Sequence, residues 1–273
     1  MQNSLLFLAA VLYVGCIFIP AQKRLAVSLV TVAGWLVHGF ALWQTTFSPD
    51  AVRVGFAVML SAALWVSVLV YWLESRNFSL DGLRVLLLPS AALMAILPVF
   101  FPGSVITLAG KTVMFPWHIA IALLAYSTLT IAAFHAVVMT LQDAHLHMRR
   151  RNKPAKWLNT RLTTAVERLP ALLTMEKILF RLVLIGFLLL SLTVLSGVIF
   201  SEQVLGVAFK WDHKTILSLL SWLLFGILLA GRKWRGWRGK TVLNFTLTGF
   251  LTLLLAYVGS RFVLEVLLHR SLA

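Results

Sequence analysis

Apolar residues in this chain come in long unbroken runs separated by short polar stretches. The runs stand at about Leu5 to Pro20, Leu25 to Trp43, Val52 to Leu73, Leu83 to Phe101, Met114 to Leu141, Ile178 to Phe200, Thr215 to Ala230 and Val242 to Leu268. A helix crossing a hydrocarbon core of about 30 Å takes roughly 20 apolar residues, and each main run suits that length. The strands of a membrane barrel would instead alternate over short segments. The pattern predicts an all-α polytopic membrane helix bundle of about eight transmembrane helices. Pro89 and Pro98 are expected to bend or end the fourth. A turn holding Ser48, Pro49 and Asp50 precedes the third. The polar stretch Gln142 to Lys177 carries Leu158, Leu162, Val166 and Leu169 at helical spacing, which reads as an interfacial amphipathic helix rather than a free loop. With no linker or obvious repeat, residues 1–273 read as a single integral membrane domain.

Composition agrees: 60% of residues are hydrophobic and 12% charged, with mean hydropathy +0.92, which excludes an ordinary soluble domain. The net charge of +15 raises the question of a nucleic-acid partner. The basic residues, however, sit between apolar spans, so they are read as loop charge that sets membrane orientation, and no nucleic acid is expected. Cys16 is the one cysteine and lies inside an apolar run, which excludes an intramolecular disulfide, a CxxC redox motif and a thiolate metal site.

Lysine and arginine set the sidedness. Placing both termini outside gives the inner loops Lys23 and Arg24, Arg76 and Arg84, the Arg149 to Lys177 stretch, and the Arg232 to Lys240 cluster. The outer loops then keep Arg53, Lys111, Lys210, Lys214 and Arg270. The inner excess is the expected sign. Positive charge follows the first run instead of preceding it, the reverse of a cleavable secretory signal, so this run is expected to stay as a helix.

Histidines are the plausible ligands in number. His118 falls at the outer mouth of the fifth helix, His213 in an outer loop and His269 just beyond the eighth helix on the same side. A neutral imidazole can ligate haem iron, and two can fill both axial positions; interfacial histidines can equally be amphipathic anchors. His38 lies about 13 residues from the inner end of its helix, roughly 20 Å along it, within the outer half of the membrane. It is either a functional group or a neutral histidine bonded to a neighbouring helix. His135 follows His118 by 17 residues, about 25 Å, too far to share an iron, and reads as inner-side packing. His145 and His147, among basic residues, read as solvated. Trp211 and Asp212 offer a stacking surface and an acceptor, while Asp212 before Thr215 is also a helix N-cap pattern. Lys111, Lys210, Lys214 and Arg261 could pair with carboxylates of an anionic ligand. No P-loop, HExxH, GxSxG or facing carboxylate pair occurs, Glu74, Asp81, Asp143, Glu167 and Glu176 are expected in inner or flanking loops, and no enzyme is expected.

The stretch GVAFKWDHKTILSLLSWLLFGILLAGRKWRGWRGK resembles the tryptophan-rich signature and following helix of the CcsA/CcmC/CcmF superfamily of cytochrome c assembly proteins. Trp211-Asp212, Lys214, Trp222-Leu223, Arg232 and Gly236-Trp237-Arg238-Gly239-Lys240 carry the likeness. WHIAIALLAYSTLTIAAFHAVV, with His118 and Tyr126, resembles the helix bearing one outer haem-ligand histidine, and His269 matches its partner's position. The likeness covers about Pro116 to His269. Size and N-terminal half look like the YpjD/HemX-like inner-membrane branch. The chain departs from the pattern in having Ala208-Phe209-Lys210 ahead of Trp211, His213 for a proline, and Ala230 where CcsA-type proteins carry a second membrane-embedded histidine.

The resemblance implies a haem-binding protein of the bacterial inner membrane, multi-pass, serving cytochrome c assembly. A b-type haem would be held transiently at the outer face, with His118 and His269 as axial ligands of its iron. Trp211 and Asp212 would lie beneath the haem, and His38 is a further candidate ligand. Implied partners are haem, apocytochrome c and other assembly proteins, within a lipid bilayer. The alternative is a non-catalytic membrane scaffold or regulator of a haem-pathway or secretion enzyme, with the histidines as packing residues.

Overall fold

The computed structural model describes residues 2–20, 22–48, 51–76, 81–107, 114–150, 169–205, 212–259 and 262. Eight α-helices run through these residues: α1 Gln2–Phe18, α2 Arg24–Thr46, α3 Phe56–Ser75, α4 Asp81–Phe100, α5 Met114–Arg150, α6 Leu172–Leu205, α7 His213–Arg235 and α8 Lys240–Leu254. Seven are long and apolar enough to cross a membrane, and α1 is a shorter apolar helix. Each predicted run has its helix.

The boundaries differ where polar sequence continues a helix. α5 reaches Arg150, 37 residues or about 55 Å, so the start of the stretch read as interfacial is the end of this long helix. α6 begins at Leu172, which takes in that stretch's last residues. Residues 151–168, with Leu158, Leu162 and Val166 of the amphipathic pattern, lie outside the described residues, while Leu169 is buried. α4 runs through Pro89 and ends two residues after Pro98.

The expected third helix starts later than Val52, because Ala51–Val54 form strand β2. β2 pairs antiparallel with β1, Phe47–Ser48, and with β3, Ser104–Thr107, in the order β1-β2-β3. Period-two alternation over a few β-branched residues is hidden when it abuts an apolar helix. Gly103, at φ 75°, turns the chain into β3; a Cβ there would lie 2.7 Å from the Val54 carbonyl oxygen.

Pairwise contacts fix the helix directions. Tyr13 meets His38, and Cys16 meets Thr31, so α1 and α2 are antiparallel. α2 and α3 are clasped by Trp35 and Trp65, whose rings stack at 4.9 Å while each indole N–H donates to the other's backbone carbonyl, at 3.1 and 2.9 Å. Gly39 makes room for this: a Cβ would sit 2.7 Å from the Trp65 indole nitrogen. α5 packs against α3, α4, α6 and α8 and joins the N-terminal helices to the C-terminal ones. Its buried Ala125, Ala132, Ala133 and Ala136 let neighbouring backbones approach, as small residues do between membrane helices.

Candidate functional site

The site is built where the first turns of α5 meet the end of α6 and the start of α7, on the side that the charge asymmetry predicts to be outer. His118 lies near the start of α5, half-buried, over Gly197 of α6. Ser196 fixes its tautomer. The Ser196 hydroxyl donates to the Thr193 carbonyl at 3.1 Å, so its oxygen is left to accept from His118 Nδ1–H at 2.8 Å. With that assignment, a neutral His118 carries its lone pair on Nε2, the nitrogen a metal would take.

Asp212 is the N-cap of α7, in extended backbone, and its carboxylate accepts the Thr215 N–H at 2.8 Å. This is the capping arrangement the sequence suggests. Two residues on, the Lys214 ammonium stands 5.0 Å from the centre of the Tyr257 ring, a cation–π contact, and its charge bears on His118. Tyr257 belongs to a π-helical turn, Leu255–Gly259, that continues α8. Single π turns often mark functional positions. Tyr257 meets Tyr126 of α5 edge-on at 5.8 Å, and the Tyr126 hydroxyl donates to the Leu253 carbonyl at 2.7 Å. One neutral imidazole, one cation and two tyrosines thus gather on three elements: α5, α7 and the π turn. His269, Trp211, Lys111, Lys210 and Arg261 lie outside the described residues.

His38 stands apart. It is fully buried, Nε2 is 2.9 Å from Ser61 Oγ of α3, and Nδ1 is 3.3 Å from the Tyr13 hydroxyl of α1. Its partners lie on α1 and α3, whereas those of His118 lie on α6 and α7. Both ring nitrogens are engaged by protein groups. Among the described residues no three His, Cys, Asp or Glu side chains converge as a metal-ion site, although haem iron needs only two axial donors.

Four acids expected in loops are in helices: Asp81 opens α4, Asp143 lies in α5, and Glu176 and Glu74 are each engaged with a neighbouring helix. Glu176 is on α6, almost buried, where its carboxylate receives Arg232 Nη1 at 2.8 Å and the Gly239 N–H at 3.4 Å. Arg232 also donates to the Trp237 carbonyl at 3.1 Å and lies over the Phe180 ring at 4.7 Å. Gly236, left-handed at φ 64°, ends α7, and Trp237 folds back over Gly231, where a methyl would overlap its indole. The basic Gly-Trp-Arg-Gly segment is therefore a packed turn locked by an ion pair as well as loop charge. Glu74 lies one residue before the end of α3 and 3.3 Å from His135. His145, expected to be solvated, has both ring nitrogens buried, whereas His147 is exposed and pairs with Asp143 at 3.5 Å.

Comparison with known proteins agrees with this architecture. The profile of the family described as Cytochrome C assembly protein matches residues 2–268. The inner membrane protein YpjD of Escherichia coli (strain K12) is 32% identical over 253 residues, which is 90% of this chain and 88% of that protein. The cytochrome c biogenesis protein CcsA of Prochlorococcus marinus (strain MIT 9301) is 34% identical over 89 residues, covering 33% of this chain and 29% of that one. CcsA of Chlamydomonas reinhardtii is 27% identical over 148 residues, 54% of this chain and 38% of its own. Matched along nearly its whole length and built from membrane-length helices, the chain is a multi-pass protein of the bacterial inner membrane and belongs to the cytochrome c assembly protein family.

Proposed function

We propose that this protein binds a b-type haem transiently at its outer face, with His118 and His269 as axial ligands, and holds or presents it in cytochrome c assembly. The observation that carries the reading is the Ser196 hydrogen bond, which leaves the His118 lone pair on Nε2 at the outer end of α5. The donor set suits the group: haem needs neutral imidazole nitrogen for its iron and cations for its carboxylates. When bound, haem would supply an iron able to accept an imidazole nitrogen lone pair. His118 binds and Ser196 orients it. Lys214 is the described cation placed to meet a propionate, and Asp212 holds the α7 terminus that carries Lys214. Trp211, next to Asp212, supplies a stacking face in this reading, and His38 serves as a packing residue satisfied within the N-terminal helices. Apocytochrome c and other assembly proteins are the partners that would receive haem, and the relatives named as cytochrome c biogenesis proteins favour that direction.

An absorption spectrum tests this. Protein purified from haem-replete cells should show a Soret band shifted to the red of free haem. The band should vanish in the His118→Ala/His269→Ala double variant purified at similar yield. Colourless wild-type protein would sink the reading.

A further inference from the structure

The inner half of the seam between α3 and α5 holds a pair that the outer site does not use. His135 is fully buried in α5, and the Glu74 side chain at the end of α3 is 20% exposed. Glu74 Oε2 and His135 Nε2 face one another at 3.3 Å, both shut off from solvent, and neither atom has a hydrogen-bond partner among the described residues.

The other ring nitrogen decides the chemistry. His135 Nδ1 is 3.0 Å from the Ile131 carbonyl oxygen, one turn back. A carbonyl can only accept, so Nδ1 carries a hydrogen. A neutral imidazole has one N–H, which would leave a bare lone pair on Nε2, and an ionised carboxylate also offers only lone pairs. Two acceptors buried face to face leave both unsatisfied, at about 1–3 kcal/mol each or more for the charged one. One proton between the two atoms removes the conflict. It makes either an imidazolium beside a carboxylate or an imidazole accepting from a carboxylic acid. Both give the pair zero net charge, the state a low-dielectric seam tolerates best.

Neighbouring charges do not supply an alternative partner. On α3, Arg76 lies over the Trp72 ring at 4.7 Å. On α4, Arg84 is turned to the Ile19 carbonyl of α1 at 3.3 Å. Further along α5, Asp143 pairs with His147, and His145 lies between them in sequence. On α6, Glu176 is taken by Arg232 of α7, while Lys177 and Arg181 are exposed. Lys240, which opens α8, is exposed as well.

We propose that Glu74 and His135 together bind a single proton and form a proton site in the inner half of the bundle, reached through the partly exposed Glu74. A movement that parts α3 from α5 separates the pair and has to release or redistribute that proton. The site does not depend on haem binding.

Full-length protein labelled isotopically on histidine and glutamate tests this near neutral pH, with nitrogen magnetic resonance and infrared spectra read together. The His135 signal is the histidine resonance lost in His135→Gln, and the Glu74 carboxyl band is the one lost in Glu74→Gln. The wild type should show either two N–H groups on His135 or a protonated Glu74 carboxyl. Glu74→Gln keeps the shape and can donate its amide N–H to Nε2, so it should fold and leave His135 neutral. A wild type with a one-proton imidazole beside an ionised Glu74 would overturn the proposal, and so would a doubly protonated His135 that persists in Glu74→Gln.

Discussion

Ser196 decides which nitrogen of His118 faces outward, and that makes it the most informative single position near the site. Replacing it with alanine removes the acceptor for Nδ1–H, so the ring can turn or change tautomer. Losing such an outer partner typically costs about 10–100-fold in ligand affinity. We expect haem affinity to fall about tenfold in Ser196→Ala, with a displaced absorption band, and to recover in Ser196→Thr. Titrating the haem-free variants reads this out; a loss of thermal stability with an unmoved band would mean that Ser196 only packs. Sequence reading could find His118, because a histidine at the mouth of an apolar run is conspicuous. Ser196 stands 78 residues away and is an ordinary hydroxyl in an apolar helix. Nothing local marks it, since the contact exists only once α5 and α6 are antiparallel. His38 shows the reverse case. Its position is legible, while its two partners, Tyr13 and Ser61, come from other helices.

At the scale of elements, long apolar runs give away the helices because lipid demands them. The short exceptions carry little signal. β2 is four residues against an apolar helix, and the π turn is five residues within a continuous apolar run. The α7–α8 connection is the element whose role changes most. As sequence it is a basic loop, but Arg232 leaves that set to bind Glu176 and close the turn around Trp237. Removing one member leaves the other charge poorly compensated, so Glu176→Gln or Arg232→Gln should destabilise the protein by on the order of 3 kcal/mol. The double variant should lose clearly less than the sum. Unfolding in mild detergent, followed by protease resistance of α6 to α8, measures both; additive losses would show that the pair is not coupled.

For the whole molecule, the charge asymmetry predicts that one end of the bundle faces the cytoplasm. The His118 site and the small sheet lie at the opposite end from the Arg232 turn. A cysteine placed at exposed His213 should react with an impermeant thiol reagent in intact spheroplasts, and one at exposed Arg235 only after permeabilisation. Cys16 is buried and gives little background. The reverse labelling would invert the bundle and put the proposed haem site on the wrong side.

The Trp35–Trp65 clasp has a consequence outside packing. Two indoles stacked nearly parallel at 4.9 Å are coupled chromophores. Their joint ultraviolet transitions split into a circular-dichroism couplet, whose sign follows the relative twist of the two indole transition dipoles. That couplet lies far from any haem absorption in the visible. The N-terminal half therefore carries its own optical label, and its integrity can be followed without a probe, whether or not the outer site at α5 is filled.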